Sequence, residues 1–466
     1  MKRLSKEAVI YLTIAVYFVL MIAVGVLSRR SSRTISDFTV GTRSASAWLS
    51  AFSYGTAYFS AVMFIGYAGS SGWEYGIWGV LPGIGNAIFG SLLAWMVLAN
   101  RTREVTRRLN IRSMPQLFEK RFGSGVMKQF CVFVIFIFLV PYSASVYKGL
   151  SSVCAVLLNV DEQLCMIIIA LAAAALVIFG GYVATLKADF LQGLIMIAGV
   201  IALIVVVFRS QQVGGLAEGL RSIVAETKAL ELDAQAHIGL WATVLMTSFG
   251  TWGLPQMVHK FYSIRDEKSI KTGTIISTLF ALVVAGGSYF NGAFGRLFVE
   301  SPESVGGYDG IVPAMLGGQL NDLLMGIVIV LVLSASMSTL SSLVITSSST
   351  LTLDLVRDQF RPQMAESRQV LILRVLCAAF IALSVVIAAI PNSLISSLMS
   401  LSWGALGGAF LAPFLYGLFW KGGTRAGVWA SFAVGVGYTS LNSVFGWIAQ
   451  TPNVHVHDLH VAEIVF

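Results

Sequence analysis

Apolar runs of about twenty residues follow one another along the chain, separated by short, polar and mostly basic connections. About twenty apolar residues is the length at which a helix crosses the hydrocarbon of a bilayer. The pattern predicts twelve such helices, over residues 8–28, 46–69, 76–99, 129–158, 162–182, 187–208, 237–258, 272–299, 322–353, 369–390, 393–420 and 424–449. A transmembrane barrel would instead show alternating segments of about ten residues, and none is visible. The first run, Ala8 to Leu27, follows a basic start as a signal peptide would, but its length and the flank Ser28-Arg29-Arg30 suit a retained helix. The longest connections are 100–128, amphipathic and basic, expected as a helix at the interface, and 209–236, expected to form short external helices.

Composition agrees with this class and removes others. Of 466 residues, 56% are hydrophobic and 12% charged, where a soluble domain carries about 25% charged residues. The same figures exclude a disordered chain. The net charge of +8 lies in the connections, so topology accounts for it better than nucleic-acid binding. With the N-terminus outside, the inner connections hold 23 of the 31 Lys and Arg and 8 of the 23 Asp and Glu. The expectation is a multi-pass protein of the cell inner (plasma) membrane with its N-terminus outside, although the basic stretch Met1 to Lys6 runs against that orientation. The tail Val461 to Phe466 reads like the start of a further apolar segment, which leaves a final helix missing from this chain as an expectation. Four cysteines, Cys131, Cys154, Cys165 and Cys377, fall inside apolar runs and read as buried packing residues.

Two of the spans contain helix-weakening stretches at mid-membrane: Ser53 to Ser60 in the second and Thr247 to Gln256 in the seventh. Gly and Pro there free backbone carbonyls, which hydrocarbon tolerates only where protein or a cavity receives them. The two spans lie five apart and so run in opposite directions. Paired broken helices in inverted halves mark a transporter with its site at the midplane. Close packing by small residues is the other reading of the same residues.

The ninth span carries a hydroxyl stripe: twelve of the nineteen residues from 334 to 352 are Ser or Thr. Helical spacing brings Ser338, Ser341 and Ser342 to one side, with Ala335, Thr339 and Ser342 adjacent. Such neutral oxygens suit a hard alkali cation, or a packing face bonded back to its own helix. Asp189, opening the sixth span, is the one carboxylate placed inside a span away from the outer edge, and reads either as a functional acid or as a helix cap. Lys148 is expected to extend outward, Tyr142 to line a cavity or pack, and His455, His457 and His460 to form a solvated tail. No Walker motif, paired zinc ligands or nucleophile elbow is present, so neither ATP-driven transport nor an enzyme is expected.

At these residues the chain resembles the sodium:solute symporter family, which includes proline, pantothenate, sialic acid and glucose symporters. The likeness rests on Asp37-Phe38-x-x-Gly41-x-Arg43, on Gly180-Gly181 through Ala188-Asp189-Phe190-Leu191-Gln192-Gly193, and on Met337-Ser338-Thr339-Leu340-Ser341. It implies an all-α membrane protein with a LeuT-type inverted five-helix repeat, one leading helix and at least one trailing helix. The expected division is 1–45 for the leading helix and a cytoplasmic loop, 46–208 and 237–420 for the two repeats, 209–236 for an external loop, and 421–466 for the trailing helix and tail. The family pattern implies a first sodium site of Thr56, Phe59 and Ala335 through their carbonyls with Ser338 and Thr339 through their hydroxyls. It implies a second at Asp189, Ser338, Ser341 and Ser342. Candidate solute-lining residues are Tyr58, Ser60, Met63, Tyr142, Thr251, Trp252 and Gln256. Tyr58 stands where the proline branch has an acid, the run from Tyr58 to Gly66 is closer to pantothenate-type members, and Tyr142 stands where sialic acid members have an arginine.

The expectation is therefore a sodium-coupled secondary symporter that imports a small organic solute (amino acid, monocarboxylate or pantothenate-like) by alternating access. Na+ is the coupling ion, no cofactor or nucleic acid is involved, and the chain is expected to act as a monomer. The alternatives are a sodium-dependent sensor of the same fold acting with a separate signalling partner, and a sodium channel.

Overall fold

A computed structural model describes residues 6–28, 34–316, 322–390 and 395–450. Among them all regular structure is helical, and the β contact is an isolated parallel bridge between Ala45 and Ile264. Eight stretches among the described residues are long and apolar enough to cross a membrane. Two of these, Val62–Arg108 and Glu162–Arg209, run to 47 and 48 residues, about twice what one crossing needs. A glycine divides each. Gly76 (φ 56°) ends the helix Ala68–Tyr75, and Gly181 (φ 58°, ψ −161°) separates the halves of Glu162–Arg209. A Cβ on Gly181 would stand 2.9 Å from the Phe38 ring, so both the positive φ and the close approach require glycine.

The leading helix, Lys6–Ser28, packs against Glu162–Arg209 and against the hydroxyl-rich helix Asp322–Thr350. The first set of five comprises the interrupted helix Ala47–Tyr58 with Ala68–Tyr75, the stretch 76–108, Gly125–Leu158 and the two halves of Glu162–Arg209. The second set comprises Ala234–Phe249 with Pro255–Tyr262, then Glu267–Leu297, Leu324–Phe360, Glu366–Ala388 and Ile395–Phe419. The trailing helix Arg425–Gln450 packs on Ile395–Phe419. The pieces of the two interrupted helices are too short to cross alone. Six of the long stretches, the run 76–108, the two halves of Glu162–Arg209, the two interrupted helices taken whole and the trailing helix Arg425–Gln450 correspond to the twelve spans expected from the sequence.

The arginines of the basic connections tie the helix ends together by donating to backbone carbonyls. Arg43 reaches Ile111 O (2.6 Å), and Arg107 reaches both Arg43 O (2.8 Å) and Arg265 O (3.0 Å). Arg121 reaches Trp420 O and Arg425 reaches Gly123 O, each at 2.8 Å. A guanidinium with five fixed donors suits carbonyls left open at helix C-termini. The four cysteines are free and buried. Lys148 donates to Ile390 O at 3.3 Å. The tail with His455, His457 and His460, and the run Val461 to Phe466, lie outside the described residues.

Candidate functional site

The first interruption falls at Phe59 and Ser60, between Ala47–Tyr58 and the π-helical turn Val62–Tyr67. Phe59 is extended (φ −107°, ψ 114°) while its N–H still donates to Gly55 O at 3.2 Å. The Ala61 N–H, which would close onto Ala57 O in an uninterrupted helix, donates instead to Ser336 Oγ across the bundle at 3.3 Å. The carbonyls at the end of the first half-helix are thereby released, as they must be where a helix breaks. In the second interruption Thr251 O accepts from the Leu254 N–H at 3.2 Å, because Pro255, at the start of the next half-helix, has no N–H to offer.

The released carbonyls meet the hydroxyl stripe. Thr339 Oγ1 lies 3.4 Å from Thr56 O, 3.3 Å from Ala57 O and 3.2 Å from Ala335 O. A hydroxyl has one proton and so satisfies one of three acceptors. Ser338 Oγ stands 2.7 Å from Thr56 Oγ1, whose own proton goes to Phe52 O at 2.8 Å. The result is a buried cluster of neutral oxygens with fewer protons than acceptors, a donor set for a hard monovalent cation. Of the five residues expected at the first sodium site, Thr56, Ala335, Ser338 and Thr339 converge here, and Phe59 sits at the break beside them. Ala57 was not expected; its carbonyl joins because Ser336 takes its usual partner.

Asp189 lies next to this cluster, 1% exposed, and is not a helix cap: it sits inside the helix that follows Gly181. Its Oδ1 accepts from Ser338 Oγ (2.6 Å) and its Oδ2 from Ser53 Oγ (2.5 Å). The second Oδ2 donor is Lys260 Nζ at 3.3 Å. Lys260 also donates to Ser53 Oγ at 2.8 Å, and its ammonium lies 5.5 Å from the Tyr182 ring centre. The expected spans 237–258 and 272–299 leave Lys260 in the connection between them; the structure corrects this, since Lys260 is 2% exposed. The geometry of the half-helix explains the miss. Lys260 is five residues beyond Pro255, about 8 Å at 1.5 Å per residue, less than the roughly 15 Å half-thickness of a bilayer core. A break at mid-membrane followed by a lysine within two turns was the signal available. Ser341 and Ser342 stand apart from the carboxylate's hydrogen bonds: Ser341 donates back to Met337 O at 2.7 Å, and Ser342 Oγ has no partner among the described residues.

The candidate solute residues are all buried, but their polar groups differ in availability. Tyr58 donates to Thr247 O at 2.6 Å and stacks on Phe59 with ring centres 4.3 Å apart. Trp252 donates to Phe89 O at 3.0 Å and Thr251 to Ser248 O at 2.8 Å. These three hold the interrupted helices in place. Gln256 differs, because both ends of its amide lack partners among the described residues. Ser60 and Met63 lie at and just after the first break. Tyr142 meets the edge of Trp403 at 5.9 Å, and Trp403 in turn lies against Gly250 of the second break, with its indole N–H unpartnered among the described residues. Nothing in the pattern of its own span, Ile395–Phe419, sets Trp403 apart from an ordinary packing tryptophan; only its contacts with Tyr142 and Gly250 do.

Comparison with known proteins agrees with this architecture. The chain is 28% identical over 432 residues to the high-affinity proline transporter PutP of Bacillus subtilis, covering 89% of this chain and 88% of that protein. It is 26% identical over 437 residues to the osmoregulated proline transporter OpuE of the same organism, covering 91% and 87%. A sodium/proline symporter of Staphylococcus aureus is 27% identical over 468 residues, covering 96% and 88%. Among solved structures, a substrate-bound, outward-open Na+-coupled sialic acid symporter superposes with a TM-score of 0.77 at 16% identity, over 93% of this chain and 97% of that one, which establishes the shared fold. Residues 38–435 match the family described as Sodium:solute symporter family, and the chain is a multi-pass membrane protein belonging to that family.

Proposed function

We propose that this chain imports a small organic solute, an amino acid, a monocarboxylate or a pantothenate-like acid, by alternating access coupled to sodium entry, with its N-terminus outside. The observation that carries this is Thr339 Oγ1 among three carbonyls, two from the broken helix and one from its own, at 3.2–3.4 Å. A cation at that point joins the two helices, so its binding energy acts on their relative position, which is the element an alternating-access cycle has to bias. Asp189 strengthens the cluster from behind: by drawing the Ser338 proton onto Oδ1 it leaves the Ser338 lone pairs for the cation. The solute is placed against Ser60, Met63, Tyr142 and Gln256, where unpaired amide groups and aromatic faces suit a small polar molecule. The names of the relatives add proline to the candidates, while Tyr58 in place of an acid weighs against it. Uptake into proteoliposomes without ATP tests the reading. Radiolabelled proline, other amino acids, monocarboxylates and pantothenate would be supplied under an imposed sodium gradient with an inside-negative potassium diffusion potential. Sodium-dependent accumulation of one of them is expected. Equal uptake driven by a proton gradient in the absence of sodium would overturn it.

A further inference from the structure

The family resemblance implies a second cation beside Asp189, but the structure already holds one there. Lys260 brings its ammonium to Asp189 Oδ2 at 3.3 Å and to Ser53 Oγ at 2.8 Å, with both charged side chains at most 2% exposed. The carboxylate's remaining contacts, to Ser53 and Ser338, are hydroxyl donors that point protons at it. A sodium ion added at this point would put a positive charge beyond the one the carboxylate neutralises into a buried site, which is heavily penalised. The other groups lying near the pair are neutral donors or rings: Tyr182 donates to Ser263 Oγ, and His259 meets the Tyr182 ring edge-on. Among the described residues no second carboxylate makes an ion pair with Lys260. With Lys260 in place, Ser341 donates to Met337 O and Ser342 Oγ has no partner among the described residues, so neither hydrogen-bonds to Asp189.

We propose that Lys260 is a tethered replacement for the second cation, so that the transporter binds one sodium ion, at the Thr339 cluster, and not two. This rests on reading that cluster as a sodium site. The lysine does what an ion at Asp189 would do, keeping the carboxylate charged and its hydrogen bond to Ser338 directed, but it is part of the chain and carries no charge across the membrane. Asp189 is thereby a positioning residue for the first site and not an ion ligand.

The number of sodium ions bound decides the question without knowledge of the solute. Purified protein in nanodiscs is titrated with 22Na+ to saturation. The wild type is expected to bind one ion per chain, Thr339→Val to lose it within the same concentration range, and Lys260→Arg to keep it. Lys260→Gln, checked to be monodisperse and folded, is expected to bind two. Two ions per wild-type chain would overturn the proposal whatever the variants do, as would a single ion in the folded Lys260→Gln protein. A wild type that binds no sodium at any concentration would instead remove the sodium reading of Thr339 itself.

Discussion

Replacing Thr339 by Val removes one oxygen from the cluster and leaves the shape of the side chain. The hydroxyl's three acceptors lie at 3.2–3.4 Å, long against the usual 2.7–2.8 Å for an O–H donor. Its loss should therefore lower the stability of the sodium-free protein by about 1 kcal/mol or less. Sodium binding is different, because an oxygen directed at a charge contributes about 1.5–3 kcal/mol. At about 1.4 kcal/mol per decade, affinity should fall roughly tenfold to a hundredfold. Thermal unfolding in sodium chloride, against potassium chloride at equal ionic strength, reads this directly. At a sodium concentration a hundred times Kd, linkage stabilises the wild type by about 2.7 kcal/mol, and a tenfold loss of affinity reduces that to about 1.4 kcal/mol. A Thr339→Val protein whose melting temperature climbs with sodium as steeply as the wild type's would refute the placement of the ion at this hydroxyl.

Lys260→Met leaves the Asp189 carboxylate buried without its cation. In potassium buffer it should destabilise the fold by about 3–5 kcal/mol, with sodium restoring part of the loss; a melt insensitive to sodium would contradict this. Gly181→Ala puts a Cβ against Phe38 at a positive φ and should cost about 1–3 kcal/mol in thermal unfolding, whereas a neutral result would mean that the turn relaxes freely. Asp266 caps the helix Glu267–Ala281, its Oδ1 accepting the Ser269 N–H at 2.7 Å. That backbone hydrogen bond first, then Arg265, hold its carboxyl well below the usual carboxylate range. A depressed carboxyl stabilises the folded state above its unfolded value and ceases to do so as pH falls through the acid range. The Asp266→Ala protein should accordingly show a smaller loss of stability between pH 7 and pH 3 than the wild type. Equal losses in both would exclude Asp266 as a contributor.

The features legible in the sequence were those that depend on local pattern. Apolar length gave the spans, Gly and Pro at mid-span gave the two breaks, and i, i+3, i+4 spacing gave the stripe of Ser338, Ser341 and Ser342 beside that of Ala335, Thr339 and Ser342, while the pairing of Ser338 with Thr339 came from the family resemblance. What escaped depends on depth and on partners. Lys260 escaped because a broken helix resumes inside the bilayer, so counting charges between apolar runs places it in a loop that is still buried. Ala57 escaped because its carbonyl is released only when Ser336, 275 residues away, takes the Ala61 N–H. Tyr58 was expected to face the solute, but its hydroxyl is held by Thr247 O, a contact between the two broken helices that spacing along either one does not show.

The bridge between Ala45 and Ile264 has a mechanical consequence. It consists of two backbone hydrogen bonds, Ala45 N to Ser263 O and Arg265 N to Ala45 O, both 3.0 Å. They join the residue just before the half-helix Ala47–Tyr58 to those just after the half-helix Pro255–Tyr262. Swinging one half-helix alone would break both bonds, so a rotation that keeps them must carry the two together. Its pivots are the two places where helical hydrogen bonding is already interrupted, Phe59–Ser60 and Gly250–Leu254. The bonded ends of the two half-helices are thereby coupled, so that displacing one pulls on the other.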